Sequence, residues 1–214
     1  MITTTEQLQQ RVLENSTCTA IMLWKGNGTK RTHFPIAPRV NEPLRPWHLK
    51  HSRRLIDIAY QYIRDTIQRP FISVHVRSER HLIWKGVRAA MVCIKKLNKR
   101  VEGRKQKFGL KKIFLASDLV DHGSDTLLVN SNTEDRRLLQ TELMSGLNRP
   151  FTFDPRNYGL FDRGEIAIVE MHILSLGESL FTLGRGNFQE WISELFLLHN
   201  AEDKSLIYKI CNYI

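Results

Sequence analysis

The stretch from Pro70 to His81, PFISVHVRSERH, limits what the chain can fold into more than any other. Phe71, Ile72, Val74 and Val76 make a short apolar run rich in β-branched residues, with Pro70 at its start. Such a run reads as a buried strand. His75 interrupts it and Arg77 ends it. A buried strand that finishes in this way delivers two polar side chains to one edge of a sheet. In open α/β sheets the carboxyl edge of the strands is where ligands bind.

The residues around this strand alternate between helical and strand patterns. Residues 5–14 read as a helix and 18–24 as a strand, with Lys25 to Gly28 as the turn after it. Four prolines between Phe34 and Trp47 exclude a regular element there. This passage is expected to be a linker, with residues 1–47 the remnant of a preceding domain and 48–214 a Rossmann-like domain. Leu55, Ile56, Ala59, Tyr62, Ile63 and Ile67 make one apolar face and predict a helix over 51–67. A second helix is expected over 83–100, stopped by Gly103. IFLAS at 113–117 is a buried strand ending at Asp118. Residues 133–146 are a helix with Glu134 and Asp135 in its first turn, which suits the helix dipole. Phe151 to Phe153 predicts a third strand. Residues 163–176 are a helix apolar on nearly all sides, hence buried. SLFTL at 179–183 is a fourth strand, followed by the Gly184–Asn187 turn and a helix marked by Phe188, Trp191, Ile192, Leu195 and Phe196. The tail from Asp203 to Tyr213 is read as one more helix. This alternation predicts an α/β fold, a parallel sheet with helical crossovers on both faces.

Composition narrows the partners. With 32 basic against 22 acidic residues the net charge is +10, which favours an anionic partner. The excess is concentrated between Lys95 and Lys112. Aromatic interleaving is nearly absent there, which disfavours nucleic acid and leaves a solvated helix end as the plain alternative. No apolar run approaches a membrane span. The first ten residues have neither the basic nor the apolar part of a signal peptide, so the chain taken alone reads as cytoplasmic. Cys18, Cys93 and Cys211 match no metal spacing, and Cys93, within AAMVCI, reads as a core residue. Asn15 and Asn27 head two glycosylation sequons, which matter only in a secretory lumen.

Three strand ends carry polar residues: His75 and Arg77, then Ser117 and Asp118, then the glycine turn at 184–187. Arg77 has the chemistry to bind a phosphate or to pair with Glu79. Asp118 has the chemistry to accept from a guanine edge or to cap a helix. A glycine turn opening a helix suits an anion, although it lacks the P-loop lysine and the dinucleotide fingerprint. His75, Glu170 and His172 also read as buried, hydrogen-bonded residues. Together the three ends describe a nucleotide site, with no nucleophile–base pair and no metal cluster.

FISVHVR, IFLASD about 40 residues on, and AIVEMHILSLGESLFTLGRGNFQEWI resemble the donor-binding half of GDP-fucose-dependent fucosyltransferases. The protein O-fucosyltransferases and the α-1,6-fucosyltransferases share this layout, and the resemblance covers roughly residues 50–199. It implies the C-terminal domain of a GT-B glycosyltransferase. It implies that GDP-fucose is the donor substrate, that no cofactor or metal is needed, and that fucose passes with inversion to a protein or glycan hydroxyl. In this resemblance Arg77 is catalytic, steadying the departing GDP. His75 sits near the ribose or phosphates, Ser117 and Asp118 lie on the guanine side, and Gly186, Asn187 and Phe188 form the phosphate turn. The relatives often have an acid three residues after the arginine, where this chain has Arg80. They usually have serines where it has Gly186 and Asn187. A longer, anchored protein of this kind works in the ER or Golgi lumen. A GDP-sugar-binding module without transfer activity and a basic nucleic-acid-binding domain are the alternative readings.

Overall fold

The computed structural model describes residues 51–120, 133–184 and 186–211. The expected elements before residue 51, the proline-rich passage and the loop after Val120 lie outside the described residues.

Among the described residues four parallel strands form one sheet in the order β2-β1-β3-β4. They are β1 (Ile72–Val76), β2 (Ile113–Ser117), β3 (Ser179–Leu183) and β4 (Ile207–Ile210). Every residue of β1 and β3 is buried, as a strand covered on both faces must be. Helix α1 (Arg53–Tyr62) runs on as a π-helical turn over Ile63–Ile67 and precedes β1. Helix α2 (Glu79–Phe108) links β1 to β2, and α3 (Thr133–Gly146) follows β2. Helix α4 (Arg163–Ser175) leads into β3, and α5 (Asn187–His199) connects β3 to β4.

Side-chain alternation along the strands separates two cores. Ile72, Val74 and Val76 pack with Ile94, Leu97, Leu139 and Leu143 of α2 and α3. Phe71, Phe114 and Leu180 pack with Leu55, Val169, Ile173, Ile192 and Phe196 of α1, α4 and α5. Helices therefore cover both faces, and the expected α/β architecture holds. The first crossover leaves β1 through α2 for β2. The chain then returns past β1, through α4 on the opposite face, to reach β3. The direction of winding reverses between β1 and β3, which makes a topological switch point there.

Four local expectations are corrected. Helix α2 does not stop at Gly103 but runs to Phe108, where Gly109, at φ 65°, ends it. Its start is at Glu79, and a kink at Gly86 divides it. The expected strand at 151–153 is a single bridge, in which Phe151 N–H donates to Ile113 O (2.8 Å) and Phe151 O accepts from Leu115 N–H (2.8 Å). Pro150 before it and Pro155 after it interrupt the ladder. The expected helix at 203–213 is a 3₁₀ turn over Lys204–Leu206 followed by β4, which pairs with β3 in the register Leu180 to Ile207. Cys93 lies in the core as read, but it is also bonded to Cys211, 118 residues away.

Candidate functional site at the β1/β3 switch point

The carboxyl ends of β1 and β3 meet directly. Arg77 N–H donates to Leu183 O at 3.0 Å, so the backbone of Arg77 continues the pairing past the strand end. The chain then makes room for the arginine. A Cβ on Gly184, at φ 102°, would stand 2.7 Å from Arg77 O, and one on Gly186 would stand 3.1 Å from Arg77 Nη1. Gly184 needs to be glycine, for its positive φ and for its contact with the Arg77 backbone, whereas at Gly186 the missing side chain lets the guanidinium come close. On its other side Arg77 Nη2 lies 3.7 Å from Glu79 Oε2, with the arginine side chain 38% exposed. The guanidinium thus sits half in solvent between one carboxylate and the start of α5. The first N–H groups of any helix lack intrahelical partners and favour negative charge.

His75 and Phe188 are brought together beneath this edge, with ring centroids 5.2 Å apart. Burial, with a smaller contribution from Arg77, holds the His75 imidazole down at about 3, so the ring is neutral. Its Nδ1 is buried with no hydrogen-bond partner among the described residues. Asn187 is exposed at the first position of α5.

Ser117 and Asp118 serve local structure. Ser117 Oγ accepts from Leu119 N–H at 3.1 Å. Asp118 Oδ1 accepts from Ser78 N–H (2.9 Å) and Ser78 Oγ–H (3.1 Å), and Oδ2 accepts from Glu79 N–H (2.9 Å). Burial pushes the Asp118 carboxyl above its ordinary range against the pull of these three donors. The aspartate therefore caps α2 from the neighbouring strand and orients Glu79, the partner of Arg77. Asp118→Ala is expected to cost about 2–3 kcal/mol of stability in urea unfolding, because three donors lose their acceptor together. Asp118→Asn, which keeps one acceptor oxygen, is expected to cost about half as much.

The sequence reading missed Gln189. Buried within the first turn of α5, it donates from Nε2 to Leu183 O (2.8 Å) and accepts at its backbone O from Ser193 Oγ–H (2.8 Å). It clamps the glycine turn to the end of β3. A glutamine on the same helix face as Ile192 and Phe196 was the available signal. Beside this clamp lies a cavity of about 250 Å³ lined by Thr182, Gly184, Gly186, Gln189, Glu190, Ser193 and Lys209. Lys209 belongs to β4 and could not be placed while the tail read as a helix.

Away from this edge, His172 Nε2 and His51 Nδ1 share a hydrogen bond of 2.8 Å. Burial, followed by His51 and His199, lowers His172 to about 4. Burial raises the Glu170 carboxyl to about 8, so it is largely protonated at neutral pH. The signs oppose. His75 and His172 stabilise the fold above their unfolded value of 6.5, and that contribution drains away as pH falls toward about 4 and 3. Glu170 contributes fully below 4.5, and its contribution is lost as pH rises toward 8. From these groups the stability maximum is expected near pH 6.5. In pH-dependent urea titrations, Glu170→Gln is expected to flatten the decline above the maximum, and His172→Asn to reduce the slope below it.

The fold and this edge define a class: an open, doubly wound parallel α/β domain with an arginine and a glycine turn at its switch point. No protein-family model matches the chain, and no curated protein matches it. Among solved structures it is similar to POFUT1 in complex with GDP, at a TM-score of 0.43 and 12% identity. The match covers 75% of this chain and 47% of that one, so the chain spans about half the length of the structure it resembles.

Proposed function

We propose that this chain is the donor-binding part of a GT-B-type, fucosyltransferase-like protein and that it binds GDP-fucose with the pyrophosphate at the β1/β3 edge. The observation that carries this reading is the Arg77 guanidinium, seated against Gly186 at the start of α5. A cation and a helix N-terminus converging on one point of a switch-point crevice suit a diphosphate. The three motifs 71–77, 113–118 and 167–192 support guanosine and fucose as the two ends of the ligand.

In the reaction this implies, an acceptor hydroxyl attacks the anomeric carbon as its bond to the β-phosphate oxygen breaks. The electron pair leaves on GDP, the acceptor hydroxyl loses its proton to solvent or to the departing phosphate, and the configuration inverts. Arg77 stabilises the charge gathering on the departing phosphate, a contribution that grows toward the transition state. His75, held neutral, offers shape and a ring nitrogen rather than charge. Asp118 is a positioning residue that acts through Ser78 and Glu79. The acceptor is a protein or glycan hydroxyl. The Cys93–Cys211 disulfide supports an oxidising compartment, such as the lumen of the secretory pathway. No helix of the described residues is long and apolar enough to cross a membrane.

Isothermal calorimetry with GDP, GDP-fucose and UDP tests the reading. Binding of the two guanosine ligands with little or none for UDP is expected. Absence of GDP binding at millimolar concentration would overturn it. Transfer of labelled fucose to water or an acceptor separates an enzyme from a binding module.

A further inference from the structure

The outer face of α2 carries a charge pattern that the nucleotide site does not use. Arg88, Lys95, Lys96, Lys99, Arg100 and Lys107 are exposed and recur at the three- and four-residue spacing of one helix face. Glu102 is the one acid on this helix between Trp84 and Lys107, and its side chain, 46% exposed, is paired with Lys105. None of the six cations forms an ion pair with another described residue. The opposite face of α2, with Ile94, Leu97 and Val101, is sealed against the sheet and α3. Among the described residues the cationic face is therefore the outer surface of the helix.

Large apolar side chains lie exposed on the same helix. Ile83 is 62% exposed, Trp84 72%, Val92 64% and Phe108 48%. Val92 stands among the cations, and Ile83 and Trp84 lie beyond the Gly86 kink at the end nearest Arg77. A soluble polyanion would satisfy the cations and leave these groups in water. An anionic lipid surface satisfies both, taking the ammonium and guanidinium groups at its headgroups and the apolar side chains at the acyl boundary. Tryptophan is suited to that boundary because one edge is polar and the rest apolar.

We propose that the outer face of α2 docks the protein on an anionic membrane surface, with Trp84 and Val92 entering the interface and the lysines and arginines binding headgroups. The Glu79 end of this helix adjoins the switch-point edge, so docking holds that edge close to the bilayer.

Cosedimentation of the full chain with phosphatidylcholine vesicles, with and without phosphatidylserine, tests this at low and high salt. Binding at low salt that requires phosphatidylserine and falls steeply with salt is expected. The quadruple variant K95E/K96E/K99E/R100E should lose at least roughly tenfold in vesicle affinity. Trp84→Ala with Val92→Ser should lose severalfold on vesicles while leaving binding to a heparin column or an oligonucleotide unchanged. All six substitutions are on exposed positions, and urea midpoints confirm that each variant folds. Failure of the folded wild-type chain to bind phosphatidylserine vesicles would overturn the proposal. So would vesicle binding that ignores the apolar pair, which would assign the face to a soluble polyanion instead.

Discussion

Arg77→Ala is expected to weaken GDP binding by roughly 10- to 100-fold, the loss of one or two charge-assisted hydrogen bonds worth about 1.5–3 kcal/mol. The expectation rests on how little freedom the residue has. Its backbone is tied to Leu183, Glu79 flanks one side of its guanidinium, and Gly186 admits the other. A diphosphate therefore meets a cation already ordered, and most of the interaction appears as affinity. Arg77→Lys keeps the charge but loses the planar fork, so an intermediate loss is expected. Stability should barely change, because the pair with Glu79 is long and more than a third exposed. Calorimetry gives the affinity and urea unfolding the control. A folded Arg77→Ala variant that binds GDP like the parent removes the arginine from the site.

Loss of the Cys93–Cys211 disulfide is expected to cost about 4–5 kcal/mol, the loop-closure value for a span this long. That is a large part of the roughly 5–15 kcal/mol that holds a domain folded. The bond matters because of where it is. Strand β4 has four residues and, among the described residues, lies at the sheet edge and pairs only with β3. Its cross-link to α2 ties this short strand to the core on the far face of the sheet. In the double variant Cys93→Ala/Cys211→Ala, or after reduction, the urea midpoint should fall sharply. Amides of β4 should exchange earlier than those of β1 and β3. Equal midpoints for the oxidised and reduced protein would show that the cross-link adds nothing.

Much of the architecture was legible beforehand. The runs at 71–76, 113–117 and 179–183 are apolar, short and bounded by turn residues, and such strands declare themselves locally. The helices between them follow from apolar spacing and from acidic first turns. The errors arose where local signals were ambiguous. IYKI at 207–210 is a short apolar pattern that fits a helix or a strand, and only the open edge of β3 makes it a strand. FTF at 151–153 has strand composition, but the flanking prolines leave it one bridge. Gly103 read as a helix stop, yet α2 passes through it, because packing of Leu97 and Val101 outweighs the roughly 1 kcal/mol penalty of one helical glycine.

Returning to PFISVHVRSERH, the sequence alone determined that a buried strand ends on His75 and Arg77 and that similar strands follow, because periodicity and turn chemistry are local properties. It could not determine which strands become neighbours. Only the tertiary structure, by setting β3 beside β1, brings Gly186 to Arg77 across more than a hundred residues. The same long-range packing turned Asp118 to the start of α2 and joined Cys93 to Cys211. None of these pairings leaves a trace in spacing, since each depends on contacts that exist only once the sheet has formed.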